Sequence, residues 1–391
     1  MISVSEALEH LFALAKPLST ETVSLGQANG RVLAKSVTAR RDQPPFAGSA
    51  MDGYAMIAED VTPGAVFEVI GEAAAGHGFV GELSAGKCIR IFTGAPVPTG
   101  ATRVVIQEDV TREGDHITLS QKIDQGFHIR PKGADFTIGQ EFSAPRLLRP
   151  SDIALLAAMN IADVPVTRRP IVAIMSTGDE LVMPGEVPGP DQIIASNSFG
   201  LQAMLRDLGA EARLLPIARD TRESLETAFS LADDADLVLT IGGASVGDHD
   251  LVGDVAVDLG MERSFYKIAM RPGKPLMAGR LASGAMMIGL PGNPVSAMVC
   301  GHVFVSPVIH AMLGLGANPA QERKASLAAP VSPNGPRQHY MRARVENGEM
   351  TIFEDQDSSL LTVLSDANAL AVRAPNDGNH DIGDSLSFLP I

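Results

Sequence analysis

From Ile171 to Leu313 the chain alternates short apolar runs with helix-spaced segments, and this rhythm restricts the fold more than any other feature. Ile171–Met175, Leu237–Ile241 and Met286–Leu290 are apolar runs without polar alternation, the pattern of strands buried on both faces. Arg213–Ile217, Phe265–Met270 and Leu276–Ala278 also read as strands. Between them, Asn197 is placed to cap a helix reaching Leu208 and closed by Gly209. Asp220 and Glu223 open a second helix to about Ala232, Asp250–Leu259 reads as a third, and Asn293 can cap a long apolar one. Strands alternating with helices predict a mainly parallel, doubly wound α/β sheet covered on both faces.

The flanking segments follow other rules. Ser3-Val4-Ser5-Glu6 is a capping box, and Val4, Ala7, Leu8, Leu11 and Ala15 follow at helical spacing, so a helix starts the chain and ends near Pro17. From Ser36 to about Leu148 the apolar runs shorten and Gly or Pro recurs. Val66–Ile70, Lys87–Phe92, Arg103–Gln107 and His116–Leu119 read as strands of a β-rich lobe. Ser151 caps a short helix, Asp152 to Met159. Beyond residue 318, Arg342–Val345, Met350–Phe353, Leu370–Val372 and Ser385–Phe388 predict a small barrel or sandwich.

Composition closes several routes. With 391 residues a chain forms roughly two to three domains. The 31 Lys and Arg stand against 46 Asp and Glu, a net charge of −15, which argues against a general binder of nucleic acid or anionic membrane but leaves room for a local basic pocket. Cys88 and Cys300 are the only cysteines and form no close-spaced metal motif, a usage suited to a reducing cytoplasm. The first residues lack the basic and apolar regions of a signal peptide. Val295 to Ala317 carries no Asp, Glu, Lys or Arg, long enough to cross a bilayer, but it contains Ser296, His302, Ser306, Pro307 and His310 without an adjoining basic flank, so a buried core helix is expected.

Two familiar patterns lack their context. Gly76-His77-Gly78-Phe79-Val80-Gly81 spells a dinucleotide fingerprint, but a turn-rich stretch follows where a helix is needed. Gly243-Ala244-Ser245-Val246-Gly247 spells a nucleophile elbow after a strand, with His302 or His310 as the partner a hydrolase would need. Both histidines sit in the apolar stretch, and Asp248 and Asp250 suit a cation better. Gly273-Lys274 is followed by Pro275, so it is no phosphate-loop lysine.

Ligands of open parallel sheets bind beyond the carboxyl ends of the strands. Three such ends carry chemistry: Ser176-Thr177-Gly178-Asp179-Glu180, Gly242-Gly243 through Ser245 to Asp250, and Pro291-Gly292-Asn293-Pro294-Val295-Ser296. Glycine lets backbone N–H groups approach an anion, and Glu180, Asp248 and Asp250 offer hard oxygens for Mg²⁺. Lys267, Arg271 and Lys274 place three cations within eight residues; if Lys267–Arg271 is extended, the first two share a face and suit an oxyanion.

These segments, with Pro44-Pro45-Phe46, Ser49 through Ala55, Thr93 through Pro98, Arg130 through Asp135 and Arg271 through Pro275, make the chain resemble the molybdopterin molybdenumtransferase (MoeA) family, related to the E domain of gephyrin, nearly end to end. The resemblance implies a homodimer of four-domain chains. Residues 1–44 and 130–167 would form a helical or mixed N-terminal domain, 45–129 an inserted β-rich lobe, 168–313 a MogA-like α/β molybdopterin-binding domain, and 314–391 a C-terminal β-barrel. It further implies insertion of molybdate into adenylylated molybdopterin with Mg²⁺-dependent release of AMP, in a cleft between the sheet domain of one subunit and the β-rich lobe of the other. Transient contact with the molybdopterin adenylyltransferase and with molybdoenzyme-maturation proteins, a cytoplasmic location, and no nucleic-acid or membrane partner complete the expectation. A tungsten-inserting paralogue is the alternative; a scaffold role like that of gephyrin would need fused domains that this sequence does not contain.

Carried over by motif, the catalytic positions are Asp52, Thr93, Asp135, Glu180, Asp250, Lys267, Arg271 and Lys274, with Glu180 and Asp250 as Mg²⁺ ligands. Substrate-binding positions are Ser176, Thr177, Gly178, Asp220, Gly242, Gly243, Ser245, Pro275, Pro291, Asn293, Ser296, Arg342 and Ser358. Arg271 stands where many relatives carry Lys, and Asp357-Ser358-Ser359 replaces a Gly-Ser-His motif.

Overall fold

A computed structural model describes residues 1–242 and 251–391. The chain divides into two compact units: Met1–Glu21, Gly30–Val32 and Val166–Ile391 form the first, Thr22–Asn29 and Leu33–Pro165 the second. Helix α1 (Val4–Leu14) opens the first unit with the expected capping box: the Ser3 hydroxyl accepts the Glu6 N–H and the Glu6 carboxylate accepts the Ser3 N–H. Its Val4, Ala7, Leu8 and Leu11 face is buried.

The second unit is built on a six-stranded sheet. In chain order the strands are β1 (Gly53–Met56), β2 (Val66–Ala73), β3 (Lys87–Ile91), β4 (Arg103–Ile106), β5 (Val110–Glu113) and β6 (His116–Leu119), and across the sheet they run β4-β1-β3-β2-β6-β5. All neighbours are antiparallel except β2 and β3. Phe67, Ile89, Ile91, Val104, Ile117 and Leu119 are its core. The Gly76–Gly81 stretch is a loop with Val80 exposed, not a strand-to-helix turn. Helix α2 (Pro150–Ala158) starts earlier than predicted; it is Asp152, not Ser151, whose carboxylate accepts the Arg149 N–H and fixes the first turn.

The first unit carries the alternating pattern. Strand β7 (Ile171–Ser176) leads to α3 (Asn197–Asp207), β8 (Glu211–Leu214), α4 (Arg222–Ser230), β9 (Leu237–Ile241), α5 (Leu251–Asp258), β10 (Glu262–Tyr266), β11 (Met277–Arg280), β12 (Met286–Leu290) and α6 (Pro294–Met312). The sheet order is β8-β7-β9-β12-β11-β10, with four parallel strands and an antiparallel edge. Side chains alternate between two cores. Ile174, Leu239 and Ile288 pack with α1, α3 and α6; Ala173, Met175, Val238 and Met287 pack with α4 and α5. Both faces are covered, which is why these strands are uninterrupted apolar runs. The uncharged segment is the core helix α6, with Val295, Val299, Phe304, Val308 and Ile309 fully buried.

The predicted strand Phe265–Met270 is not formed. The strand ends at Tyr266 because Lys267 takes a left-handed conformation, φ 71°. The N–H of Lys267 then donates to Leu276 and that of Ile268 to Lys274. Lys267 and Arg271 therefore do not share one strand face; the pair Met270–Arg271 instead runs parallel to Gln338–His339.

After α6 come β13 (Arg323–Leu327), β14 (Gln338–Glu346), β15 (Glu349–Ile352), the helix α7 (Leu361–Asp366), β16 (Ala369–Arg373) and β17 (Ser385–Pro390). The five strands close in the order β14-β15-β13-β17-β16 and back to β14, a small barrel around Leu327, Ala343, Met350, Ala371 and Phe388. Closure leaves no free edge strand in the ring.

Candidate functional site

A cavity of about 970 Å³ opens at the carboxyl ends of β7, β9 and β12. Strand-end loops meet there through backbone bonds: the Thr177 N–H donates to Ile241, that of Gly178 to Ala218 and that of Gly242 to Leu290. Glycine is required at Gly242, where φ is +95° and a Cβ would lie 2.7 Å from the Thr177 carbonyl oxygen. These bonds also occupy the N–H groups of Gly178 and Gly242, so the glycines serve close chain approach rather than anion binding, contrary to the simplest reading of a Gly-rich loop.

Of the predicted positions, Ser176, Thr177, Gly178, Glu180, Asp220, Gly242, Pro275, Pro291 and Asn293 line this cavity. Glu180 and Asp220 are exposed carboxylates on it. Gly243, Ser245, Asp248 and Asp250 lie outside the described residues; Gly242 and Leu251, which flank them, both line the cavity. Ser296 is buried in the first turns of α6 and is not part of the lining. Asn197 and Asn293 do not cap their helices with their side chains: the Asn197 amide donates to the Gly292 carbonyl at 2.7 Å and the Asn293 amide to the Ser358 hydroxyl at 3.1 Å.

Sequence reasoning missed part of the wall. Asp254, one turn into α5, adds a third described carboxylate, and Leu181, Ile193, Ile194, Leu251 and Val252 make an apolar side. The two-strand pairing of Leu181–Val182 with Ile193–Ile194 places them there, and a two-residue strand has no periodicity to read. Ser359 also lines the cavity, whereas Ser358 meets it through Asn293.

The basic cluster adjoins the cavity at Pro275. The Lys267 ammonium lies 4.7 Å from the centre of the Tyr266 ring, Arg271 is exposed and Lys274 is half-buried. Among the described residues none of the three has a carboxylate within ion-pair distance, although Arg168, Arg213 and Arg222 elsewhere in this unit each do. His339 is the cross-strand partner of both Arg271 and Arg373. Burial first, then the charges of Arg271, Arg342, Arg373 and Arg337, push its imidazole down to about 4. Arg342 is wholly buried and does not line the cavity; its guanidinium donates to the carbonyls of Asp357 at 2.9 Å and Asp355 at 3.5 Å. Its Nε and Nη1 are buried without a partner.

The hydrolase alternative gains no geometry. Burial lowers the pKa of His302 and His310, and neither has a hydrogen-bonded carboxylate among the described residues.

The second unit holds its own polar cluster. The Asp52 carboxylate accepts the Thr93 N–H at 2.8 Å and the Thr93 hydroxyl at 2.7 Å. These bonds, with the charge of Arg90, hold it below the usual carboxylate range. Arg90 lies over the rings of Phe92 and Tyr54. Asp135 is exposed on a separate turn, its N–H donating to the Gln43 carbonyl.

Comparison with known proteins agrees along the whole chain. Residues 2–160 match the family described as MoeA N-terminal region (domain I and II), 173–311 a probable molybdopterin binding domain, and 324–391 the MoeA C-terminal region (domain IV). The sequence is 37% identical to molybdopterin molybdenumtransferase 2 of Mycobacterium tuberculosis, covering 95% of each chain. It is 32% identical to the molybdopterin molybdenumtransferase of Haemophilus influenzae, covering 100% of this chain and 98% of that one. The crystal structure of the molybdopterin biosynthesis MoeA protein of Pyrococcus horikoshii is similar over 100% of both chains, with a TM-score of 0.86 and 28% identity. The chain belongs to the molybdopterin molybdenumtransferase (MoeA) family, transferases of molybdenum cofactor biosynthesis.

Proposed function

We propose that this protein inserts molybdenum: it takes adenylylated molybdopterin and molybdate, cleaves the pyrophosphate bond of the former, and releases AMP. One observation carries the reading. A cavity large enough for a nucleotide-sized ligand lies at the sheet's carboxyl edge, and its Pro275 wall continues directly from Arg271 and Lys274, cations without acidic partners among the described residues. In a chain of net charge −15, cations without acidic partners among the described residues have a use, and an oxyanion is the ligand whose charge they match.

The residues divide the work. Lys267, Arg271 and Lys274 hold the molybdate and offset charge developing on the leaving AMP. The apolar side formed by Ile193, Ile194 and Val252 takes a planar ring, and the side that Ser176, Thr177 and Asn293 line takes the polar part of the ligand. The donor set suits Mg²⁺, which is held through one or two carboxylates together with substrate phosphates, and Glu180 on the cavity with Asp250, which precedes the lining residue Leu251 in the sequence, would provide them. When bound, the cation supplies Lewis-acid polarisation of the phosphate oxygens. Asp52, fixed in orientation and charge by Thr93, orients the pterin end or supports the cation. The reading includes a cytoplasmic homodimer that receives substrate from the molybdopterin adenylyltransferase and hands product to molybdoenzyme-maturation proteins; sedimentation tests the dimer.

The decisive experiment incubates purified protein with adenylylated molybdopterin, Mg²⁺ and either molybdate or tungstate and measures AMP. Oxyanion-dependent release is expected, and Lys274→Ala should reduce it by about tenfold or more. Absence of oxyanion-dependent AMP would sink the reading; release with tungstate alone would move it to the tungsten-inserting alternative.

A further inference from the structure

The loop at 353–359 is fastened to the barrel in an uncommon way. At Arg342 on β14, the Phe353 N–H just beyond β15 donates to the Arg342 carbonyl at 3.1 Å, and the side chain of Gln356 adds to that pairing: its Oε1 accepts the Arg342 N–H at 2.8 Å and its Nε2 donates to the Arg342 carbonyl at 3.0 Å. The same Nε2 donates to the Phe353 carbonyl at 2.7 Å. Arg342 answers from its side chain, donating to the carbonyls of Asp357 and Asp355. Each residue thus holds the other's segment, one through its amide and one through its guanidinium.

The held loop reaches the cavity through Ser359, which lines it, and through Ser358, which is bonded to the lining residue Asn293. The Val295 N–H at the start of α6 donates to the Ser358 carbonyl at 3.1 Å, and the Ser358 hydroxyl accepts from Asn293. With that lone pair used, the Ser358 O–H is left as a donor, the polarity an oxyanion requires. The Asp357 carboxylate accepts both the N–H and the hydroxyl of Ser359, at 2.8 Å and 2.6 Å, and so fixes the residue that lines the cavity. Arg342 itself is fully buried with two nitrogens unpartnered. A buried cation left partly unsatisfied is costly, so stability alone does not account for an arginine there.

We infer that Gln356 is a positioning residue which, together with Arg342, sets loop 353–359 so that the Ser358 hydroxyl receives the oxyanion substrate. The inference rests on the molybdenum-insertion reading for the identity of that substrate and on the geometry alone for the clamp. Gln356→Leu removes all three bonds at similar volume; Gln356→Glu keeps the acceptor for the Arg342 N–H and loses the donor.

Two measurements test it. The first is the molybdate concentration for half-maximal AMP release. Gln356→Leu should raise it about tenfold or more and Gln356→Glu by less, while half-saturation for adenylylated molybdopterin stays within about twofold. Equal rises for both substrates accompanied by a lowered melting temperature would show a merely structural residue and overturn the proposal, as would a molybdate value unchanged in Gln356→Leu. The second measurement, amide hydrogen exchange of the untreated full chain and the variant, is independent of the reaction. In Gln356→Leu the Val295 and Ser359 amides should exchange about tenfold faster, and unchanged protection overturns the clamp. If the wild-type protein releases no AMP, the molybdenum reading fails while exchange alone decides the clamp.

Discussion

His339 shows at the scale of one residue how a site's charge is managed. It sits in a cross-strand row between Arg271 and Arg373, and burial together with the surrounding arginines keeps it neutral. The sign follows from linkage. Its folded value is depressed from 6.5 to about 4, so between these values the unfolded chain takes up a proton that the native chain does not. Native stability therefore falls as pH drops from 6.5 towards 4, by about 3 kcal/mol from this group alone. His339→Gln should flatten that part of the pH dependence, which thermal melts at pH 7 and pH 4.5 would show as a smaller loss than in the wild type. Asp52 has the opposite character: its carboxyl is held down by Thr93, so its negative charge persists at any neutral or mildly acidic working pH. The residue types at the strand ends were legible in the sequence, as were Glu180, Asp220 and Asn293 as cavity residues. The side-chain partner of Asn293 was not, because the choice between capping a helix and donating to Ser358 depends on a loop 65 residues away.

At the scale of elements, close approach of the strand-end loops is the constraint that shapes the site. Gly242→Ala would bring a Cβ to 2.7 Å from the Thr177 carbonyl oxygen at a φ of +95°. It should destabilise the protein by about 1–3 kcal/mol, measured as a lower urea midpoint with an unchanged slope. The break at Lys267 is a second case. A run such as Phe265–Met270 reads as one strand by propensity, yet Ile268 is fully buried and bonded to Lys274 and the chain must turn there. Tertiary burial overrides the local preference. Helix α6 is the converse: its apolar composition alone fits a membrane span or a core, and packing of most of its surface within the first unit, with the Met298, His302, Ser306 and His310 face half-buried, makes it a core helix.

At the scale of the whole molecule, two units with separate cores share one chain. Ile89 is fully buried in the second unit's core. Ile89→Ala should cost that unit about 2–5 kcal/mol. Amide exchange should quicken across Lys87–Ile91 and remain as in the wild type across Ile171–Ser176. The charge distribution is also a property of the whole. The acidic excess is spread over the chain, whereas Lys267, Arg271 and Lys274 stand without acidic partners among the described residues beside the cavity wall at Pro275. Salt should therefore weaken oxyanion binding more than binding of the pterin ring.

The sequence by itself determined the class of each segment. Uninterrupted apolar strands require covered faces, so Ile171–Leu313 had to become a doubly wound sheet, and Gly, carboxylate and hydroxyl residues at three strand ends had to gather at one edge. The capping box of α1 and the strands His116–Leu119, Leu237–Ile241 and Met286–Leu290 were readable to the residue for the same reason: their signals are local. Only the tertiary structure decided that the last segment closes as a ring, that Arg342 grips a loop instead of lining the cavity, and that Gly178 and Gly242 donate their N–H groups to neighbouring segments of the same chain. Each of these depends on which distant carbonyl a donor meets. That is settled by the packing of elements far apart in the chain, about which local pattern carries no information.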